Sequence, residues 1–122
     1  MNLEPRIVVI NLVIASVNDW MYGHWRAYTK VRDTWMVYIR QQMRQQEPPS
    51  HPVSMILTSY RGRVIDYGNL VGGAKPIPDC LKRLGYIKDD SPAWFNCEYK
   101  QFKTPKARQH CTILRFITPI PV

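Results

Sequence analysis

The amino-acid sequence predicts an α+β fold in which one mixed β-sheet carries helices packed on it. Three observations support this prediction. The chain has 122 residues, of which 45% are hydrophobic, so residues 1–122 suffice for a single domain with its own core. Runs rich in Val and Ile alternate with stretches of helical periodicity. The resulting order is strand, helix, strand, helix, strand, strand, which short right-handed connections assemble into a mixed sheet.

The first two elements are a strand and a long helix. Residues 7–15 (IVVINLVIA) favour a strand because they are rich in β-branched side chains, and the lack of polar alternation predicts an inner strand covered on both faces. Residues 25–46 carry the longest helical pattern, with an apolar stripe formed by Tyr28, Val31, Trp35 and Ile39. A proline-rich segment at residues 47–52 ends this helix.

A second strand and a short helix follow. Residues 53–60 (VSMILTSY) favour a strand, and the glycine pair at residues 72–73 predicts a loop before the helix. The helix begins near Lys75, because Pro76 and Pro78 fit a first turn in which backbone N–H groups have no partners. It ends at Gly85 after about nine or ten residues.

The last two elements are β-rich segments at residues 94–103 and 110–118. The basic segment 103–108 (KTPKAR) joins them. Two strands separated by a short polar connection are typical of a hairpin, so the sequence predicts an antiparallel pair with a basic tip.

The charge and cysteine content bear on the class of partner and on the compartment. With 17 Lys and Arg against nine acidic residues the net charge is +8, which favours a polyanionic partner. Three cysteines without CxxC spacing indicate neither a disulfide framework nor a zinc site, and a reducing cytoplasm is expected. Segment 7–15 is too short to span a bilayer and does not resemble a signal peptide, so no membrane partner is expected.

The acidic residues are concentrated in one stretch. Residues 64–92 contain four of the nine acids, at Asp66, Asp79, Asp89 and Asp90. Two carboxylates about 4 Å apart repel by roughly 4 kcal/mol at an effective dielectric constant near 20, so such a cluster usually holds a cation. Mg²⁺, or Mn²⁺, is the hard cation that carboxylate oxygens favour.

The same stretch resembles the RusA-type Holliday junction resolvases, especially those carried by phages and prophages. The matching elements are Asp66 with the Asn69-Leu70 pair, a Gly-Gly-x-Lys motif at residues 72–75, then Asp79, Leu81, Gly85 and the triplet Asp89-Asp90-Ser91. The resemblance is close over about 30 residues and is based on the spacing of these motif residues. It implies a RusA-like fold, a homodimer and an Mg²⁺-dependent endodeoxyribonuclease that resolves Holliday junctions or related branched DNA in recombination and repair.

The resemblance also implies roles for individual residues. Asp66, Lys75 and Asp90 would be catalytic, and Asp66, Asp89 and Asp90 would bind the metal. Asn69 and Asp79 are further candidates beside these ligands. Asp79 has an alternative, because its position four residues after Lys75 on a helix favours an ordinary ion pair with that lysine.

Several basic and aromatic residues are candidates for DNA contact. They are the turn arginines Arg61 and Arg63, the helix cations Arg26 and Lys30, and the cations of the last two segments, Lys100, Lys103, Lys106 and Arg108. Tyr99 and Phe102 are interleaved with the last group. For any single cation of the helix a solvated surface position is favoured, and for the turn arginines it is equally compatible. Trp20 and Tyr22 either stack on bases or cap the core.

Gly68 departs from the family pattern. RusA-type proteins usually carry D-x-D-N, and here Gly68 occupies the position of the second Asp, which removes one expected metal ligand. Two alternatives to the nuclease therefore remain. One is a relative that binds branched DNA without cutting it, and the other is a basic scaffold protein that binds a partner protein.

Overall fold

The structure is a computed structural model that describes residues 6–17 and 25–117. It confirms the predicted class, a single α+β domain with a mixed four-stranded sheet and helices. The elements are β1 (Ile7–Ile10), α1 (Trp25–Arg40), β2 (Val53–Arg61), α2 (Tyr67–Gly73), α3 (Pro76–Leu84), β3 (Phe95–Lys103) and β4 (Cys111–Phe116), with a short 3₁₀ turn at Ala107–Gln109 before the last strand.

The strands are arranged in the order β1-β4-β2-β3. β4 is antiparallel to both of its neighbours, while β2 and β3 are parallel and in register from the Val53–Phe95 pair to the Arg61–Lys103 pair. The parallel pair is joined through α2 and α3, as a crossover connection requires. The sheet is mixed because the helical crossover makes β2 and β3 parallel, whereas the other two strand pairs are antiparallel.

The predicted hairpin between the last two strands is wrong. β3 lies at the edge of the sheet, and β2 separates it from β4. The connection at residues 104–110 instead passes the end of β2, where the Thr104 backbone N–H donates to Arg61 O at 2.8 Å. Its length and polarity resemble those of a hairpin loop, so the local sequence did not distinguish the two topologies.

The predicted inner strand at residues 7–15 is also wrong in its extent and its position. β1 has four residues and lies at the other edge of the sheet. Val8 and Ile10 are buried, whereas 63% of Ile7 and 43% of Val9 is exposed. The rest of the run leaves the sheet but still contributes Ile14 to the core. Its uniformly apolar sequence therefore reflects two environments, an edge strand and a buried irregular segment.

The helices cover one face of the sheet. Trp35 and Ile39 of α1 and Ile77 and Leu81 of α3 are buried with the inward side chains of the strands. β2 alternates strictly between buried and half-buried positions, as expected for a strand covered on one side. α1 ends at Arg40, earlier than predicted, although Met43 in the following segment is still fully buried.

α2 was not predicted, since its sequence YGNLVGG contains three glycines that disfavour a helix. Its packing accounts for two of them. A Cβ atom on Gly73 would lie 1.9 Å from Ala15 O, and one on Gly72 would lie 3.0 Å from the Val17 side chain. The helix forms because Leu70 is fully buried, and the glycines allow it to approach the segment that follows β1.

α3 confirms the predicted short helix. It begins directly after Lys75 with prolines at its first turn and has nine residues. Gly85 follows in the left-handed conformation with φ of 86°, and its N–H donates to Lys82 O. A glycine is preferred here because a side chain disfavours positive φ.

Cys80, Cys97 and Cys111 are all free thiols, in accordance with the predicted absence of a disulfide framework. Within residues 6–17 and 25–117, none of the helices combines the length and the apolar character needed to cross a membrane.

Candidate active site

The acidic stretch folds around a cavity of about 370 Å³ beside β3. Its walls come from α2, the start of α3, the segment after α3, and β3. The cavity is lined by Val71, Gly72, Lys75, Pro78, Asp90, Phe95, Cys97 and Tyr99. Lys75 and Asp90 are the charged residues of this lining. The structure therefore brings together two of the three side chains for which a catalytic role was predicted.

The wall formed by β3 carries side chains that stay neutral at physiological pH. Cys97 and Tyr99 alternate with the solvent-facing residues of this strand. Burial raises the pKa of the Cys97 thiol to about 11, and burial likewise raises the pKa of the Tyr99 hydroxyl. The charges that a substrate meets in the cavity are consequently those of Lys75 and Asp90.

Lys75 is held at the mouth of the cavity by the start of α3. Its backbone occupies the position directly before the first helical residue, Pro76. Its side chain is exposed, and the Nζ atom lies 5.7 Å from the centre of the Tyr28 ring on α1. A cation over an aromatic face is attracted by the ring, which restricts where the ammonium group lies.

Asp79 is oriented by the same tyrosine. The Tyr28 hydroxyl donates a hydrogen bond to Asp79 Oδ2, linking α1 to α3. No ion pair joins Asp79 to Lys75 among the described residues, so the predicted helical pair is not formed. Burial, and then the negative charge of Asp90, raises the pKa of Asp79, against the opposing effects of Arg83 and Lys82. Asp79 and Asp90 therefore lie close enough to interact electrostatically.

Asp66 precedes α2, and a glutamine on β3 fixes the backbone next to it. The Gln101 side chain accepts from Ile65 N at 3.0 Å and donates to Ile65 O at 2.6 Å. The exposed Asp66 carboxylate forms no capping hydrogen bond with α2, so its oxygens remain accessible. Asp66 is not among the residues that line the cavity.

Asp89 is directed to a different partner. Its Oδ1 atom lies 2.9 Å from Lys82 Nζ. Hydrogen bonds from Lys82 and then from Ser91 lower the pKa of Asp89 to about 2. Asp89 does not line the cavity, unlike its neighbour Asp90. The structure thus separates two adjacent carboxylates that the sequence treats as equivalent ligands.

The predicted metal-binding triad of Asp66, Asp89 and Asp90 is not assembled. Across residues 6–17 and 25–117, no three Asp, Glu, His or Cys side chains meet closely enough to hold an ion. A smaller donor set fits Mg²⁺, because this ion commonly binds one or two protein carboxylates and completes its shell with water and substrate phosphate. Asp90 lines the cavity, and its negative charge contributes to the raised pKa of Asp79, so these two carboxylates are the candidate donors.

Asn69 and Gly68 lie in α2 near Asp66. Asn69 is half-buried, whereas Gly68 is exposed. A Cβ atom on Gly68 would have no neighbour within 4 Å. The position that carries Asp in the family pattern is thus open to a larger side chain.

The two turn arginines have different environments. Arg61 is buried, and its guanidinium donates to Ile14 O at 2.8 Å and to Arg63 O at 2.7 Å. Its predicted DNA contact is replaced by a structural role, because these carbonyls use its donors to tie β2 to the segment after β1. Arg63 itself is exposed.

The other predicted DNA contacts lie on two separate surfaces. Arg26 and Lys30 are exposed on α1, near the exposed side chain of Trp25. The second group is exposed at β3 and in the connection after it, and comprises Lys100, Lys103, Lys106 and Arg108. Lys100 Nζ lies 3.9 Å from Glu98 Oε1. Trp20 and Tyr22 lie outside the described residues.

Sequence reasoning missed the two residues that orient the site from outside the acidic stretch. Tyr28 was assigned to the apolar stripe of α1, and Gln101 had no assigned role. For Tyr28, a hydroxyl at the edge of an apolar stripe was an available signal, since buried tyrosines usually find a hydrogen-bond partner. Nothing in the sequence indicated the contact of Gln101 with residue 65.

A scan against protein-family models and a search of curated proteins found no match to this chain.

Proposed function

We propose that this protein is a metal-dependent endonuclease that cuts branched DNA, with Holliday junctions as its expected substrate. The observation that carries the proposal is the cavity in which Lys75 and Asp90 face the same space. A cation and a carboxylate at one opening are the groups that phosphodiester cleavage uses to neutralise charge and to hold a metal. The net charge of +8 adds an attraction to the DNA backbone.

In this proposal Asp90 and Asp79 would hold Mg²⁺, with Asp66 available from the position directly before α2. The ion, when bound, lowers the pKa of a coordinated water and stabilises charge on the leaving oxygen. Lys75 binds a non-bridging phosphate oxygen and stabilises the negative charge that develops there. Tyr28 keeps Asp79 and Lys75 in place from the side of α1.

The proposal includes a homodimer in the cytoplasm of a bacterial or phage-infected cell. A four-way junction presents two symmetric strands, and a two-fold dimer presents two equal sites to them. The exposed face of α1, with 64% of Trp25 and 60% of Val37 accessible, and the open strand edges offer surfaces for such contact. The three free thiols accord with a reducing compartment.

The proposal is tested by incubating the protein with a labelled synthetic four-way junction in the presence of Mg²⁺. We expect cleavage by the natural chain and a loss of about 100-fold or more in Asp90→Asn, because an amide is a poorer ligand and lacks the negative charge. Asp33→Asn on α1, whose carboxylate is paired with Arg32, is the matched control and should cleave normally. An inactive natural chain would contradict the proposal.

A junction-binding protein without cleavage activity is the second candidate function. The observation that favours it is the combination of Gly68 with the separated carboxylates, which leaves fewer metal ligands than the family pattern provides. Gly68→Asp distinguishes the two candidates, because the open space around residue 68 accommodates the added side chain. A protein that binds junctions but cuts them only after this substitution is an impaired relative, whereas no junction binding at all would favour the scaffold alternative.

A further inference from the structure

A second cavity lies on the sheet face that the helices leave uncovered. It has a volume of about 480 Å³ and is lined by Tyr60, Phe102, Lys103, Thr104, Gln109, Cys111 and Ile113. None of these residues takes part in the candidate active site, which lies on the helical side of β3. We refer to this cavity as the Tyr60–Phe102 groove.

Two stacked aromatic rings form one wall of the groove. The centroids of Tyr60 and Phe102 are 5.6 Å apart with an angle of 24° between the rings. Phe102 is 51% exposed, so one side of its ring is accessible although the ring already has an aromatic neighbour. An accessible aromatic surface of this kind is a platform on which a nucleobase stacks.

The polar groups of the groove are fixed by the connection after β3. The buried Thr104 hydroxyl donates to Gln109 Oε1 at 2.7 Å, which leaves the amide Nε2 of Gln109 as a donor for a ligand. His110 Nε2 lies 3.0 Å from Thr104 O, and Thr104 N donates to Arg61 O. Because these contacts order the connection in advance, binding in the groove has a small conformational cost.

The charged residue of the groove lining is Lys103, and further cations follow it in the chain. Between residues 99 and 117 the sequence contains no Asp or Glu and five cations, at Lys100, Lys103, Lys106, Arg108 and Arg115. Lys103 lines the groove, and Lys106 and Arg108 are exposed in the connection beside it. Phosphate groups on either side of a stacked base would meet these cations.

We infer that the Tyr60–Phe102 groove binds an unpaired nucleotide of a DNA strand. The base stacks on the exposed ring of Phe102, which Tyr60 supports from its other side, the Gln109 amide donates to a base acceptor, and the basic connection holds the flanking phosphates. A base within a duplex does not fit, since its faces are covered by its neighbours in the stack. This inference rests on the proposed function and restricts its substrate, among Holliday junctions and related branched DNA, to forms with an unpaired segment at the branch.

The edge strand β3 connects the groove to the candidate active site. Tyr99 lines the catalytic cavity, and Phe102, three residues later, lies on the opposite face of the same strand. Three residues of a strand span about 10 Å. A single DNA strand that passes around this sheet edge can therefore contact both sites.

The test is the binding of fluorescent oligonucleotides in the absence of Mg²⁺. The probes are a thymidine oligonucleotide of about 12 residues and an abasic chain of the same length, which has the phosphates without the bases. We expect the full chain to bind the thymidine probe about tenfold more tightly, and the double variant Tyr60→Ser/Phe102→Ser to lose this preference. Ile117→Ser, which removes an exposed apolar side chain just past β4 and outside both cavities, is the control and should retain it.

Equal binding of the two probes by the natural chain would overturn the inference, as would an unchanged preference in a folded double variant. If the double variant converts a dimer into a monomer in analytical ultracentrifugation, the groove is a subunit interface and the inference fails. If the double variant does not fold, Gln109→Ala supplies the test and should weaken thymidine binding without affecting the abasic probe. Because no cleavage is measured, failure here is distinct from failure of the proposed nuclease activity.

Discussion

At the scale of single residues, charge type alone does not determine function in this protein. Arg61 and Arg63 are two residues apart and equally basic, yet the first is buried against backbone carbonyls and the second faces solvent. Asp89 and Asp90 are adjacent, yet the first is bound by Lys82 and the second lines the cavity. In both pairs the tertiary neighbours decide the role, and the sequence does not display them.

The pairing of Asp89 with Lys82 predicts a specific pH dependence of stability. The folded-state pKa of about 2 is below the ordinary value of 3.8, so the pair stabilises the fold above pH 3.8 and loses this effect as the pH falls towards 2. We expect Asp89→Asn to have a lower urea midpoint than the natural chain at neutral pH, and the difference to shrink below pH 3.8 and disappear as the pH falls through about 2.

Lys82→Met removes the other partner of this pair and should give the same pH dependence. High salt should reduce the difference in both variants, because the pair is exposed to solvent. A difference between Asp89→Asn and the natural chain that stays constant across this pH range would show that the ion pair does not form.

At the scale of elements, close backbone packing positions the site. α2 and α3 form the crossover between the parallel strands, and both depend on glycines that approach other chain segments. At Gly85, a Cβ atom would lie 1.8 Å from Gln46 O, in addition to the unfavourable φ of 86°. Gly85 therefore fixes where α3 ends and the direction in which the backbone continues to Asp90.

Replacement of Gly85 is expected to be costly. Gly85→Ala should lower the free energy of unfolding by about 2–4 kcal/mol, since it combines a strained φ with a clash against backbone that has little freedom to move. Urea denaturation measures the change. Gly68→Ala is the matched control, because its surroundings are open, and it should be neutral or slightly stabilising. Equal destabilisation by both substitutions would contradict this explanation.

The sequence predicted the elements better than their arrangement. The fold class, β2 and the start and end of α3 follow from local signals such as β-branched runs, prolines at a first turn and a terminal glycine. The strand order does not, because a polar connection of a few residues serves a hairpin and a passage across one strand equally well. The sequence did not predict α2, because its glycines disfavour a helix. Gly73 is needed there because it packs against Ala15, about 60 residues away in the chain.

In the candidate site, too, local features were predictable from the sequence and long-range contacts were not. The acidic stretch and its lysine were recognisable by spacing, and Lys75 and Asp90 do face one cavity. Tyr28 on α1 and Gln101 on β3 were not recognisable, because each contacts the acidic stretch from a distant part of the chain. The distribution of the aspartates between cavity and surface depends on Lys82, which local spacing did not identify as a partner of Asp89.

At the scale of the whole molecule, the two functional surfaces lie on opposite faces of one edge strand. The helical face of β3 contributes to the acidic cavity, and the open face contributes to the Tyr60–Phe102 groove. Each surface carries a lysine, Lys75 in the cavity and Lys103 in the groove, and the chain as a whole has a net charge of +8.

The central claim is that the cavity containing Lys75 and Asp90 is the catalytic centre. The most direct measurement compares the initial rate of Mg²⁺-dependent junction cleavage in Asp90→Asn and Asp89→Asn, two neighbouring substitutions of equal chemistry. We predict that Asp90→Asn loses about 100-fold or more, whereas Asp89→Asn stays within about threefold of the natural chain. Comparable losses in both variants, or a larger loss in Asp89→Asn, would contradict the account.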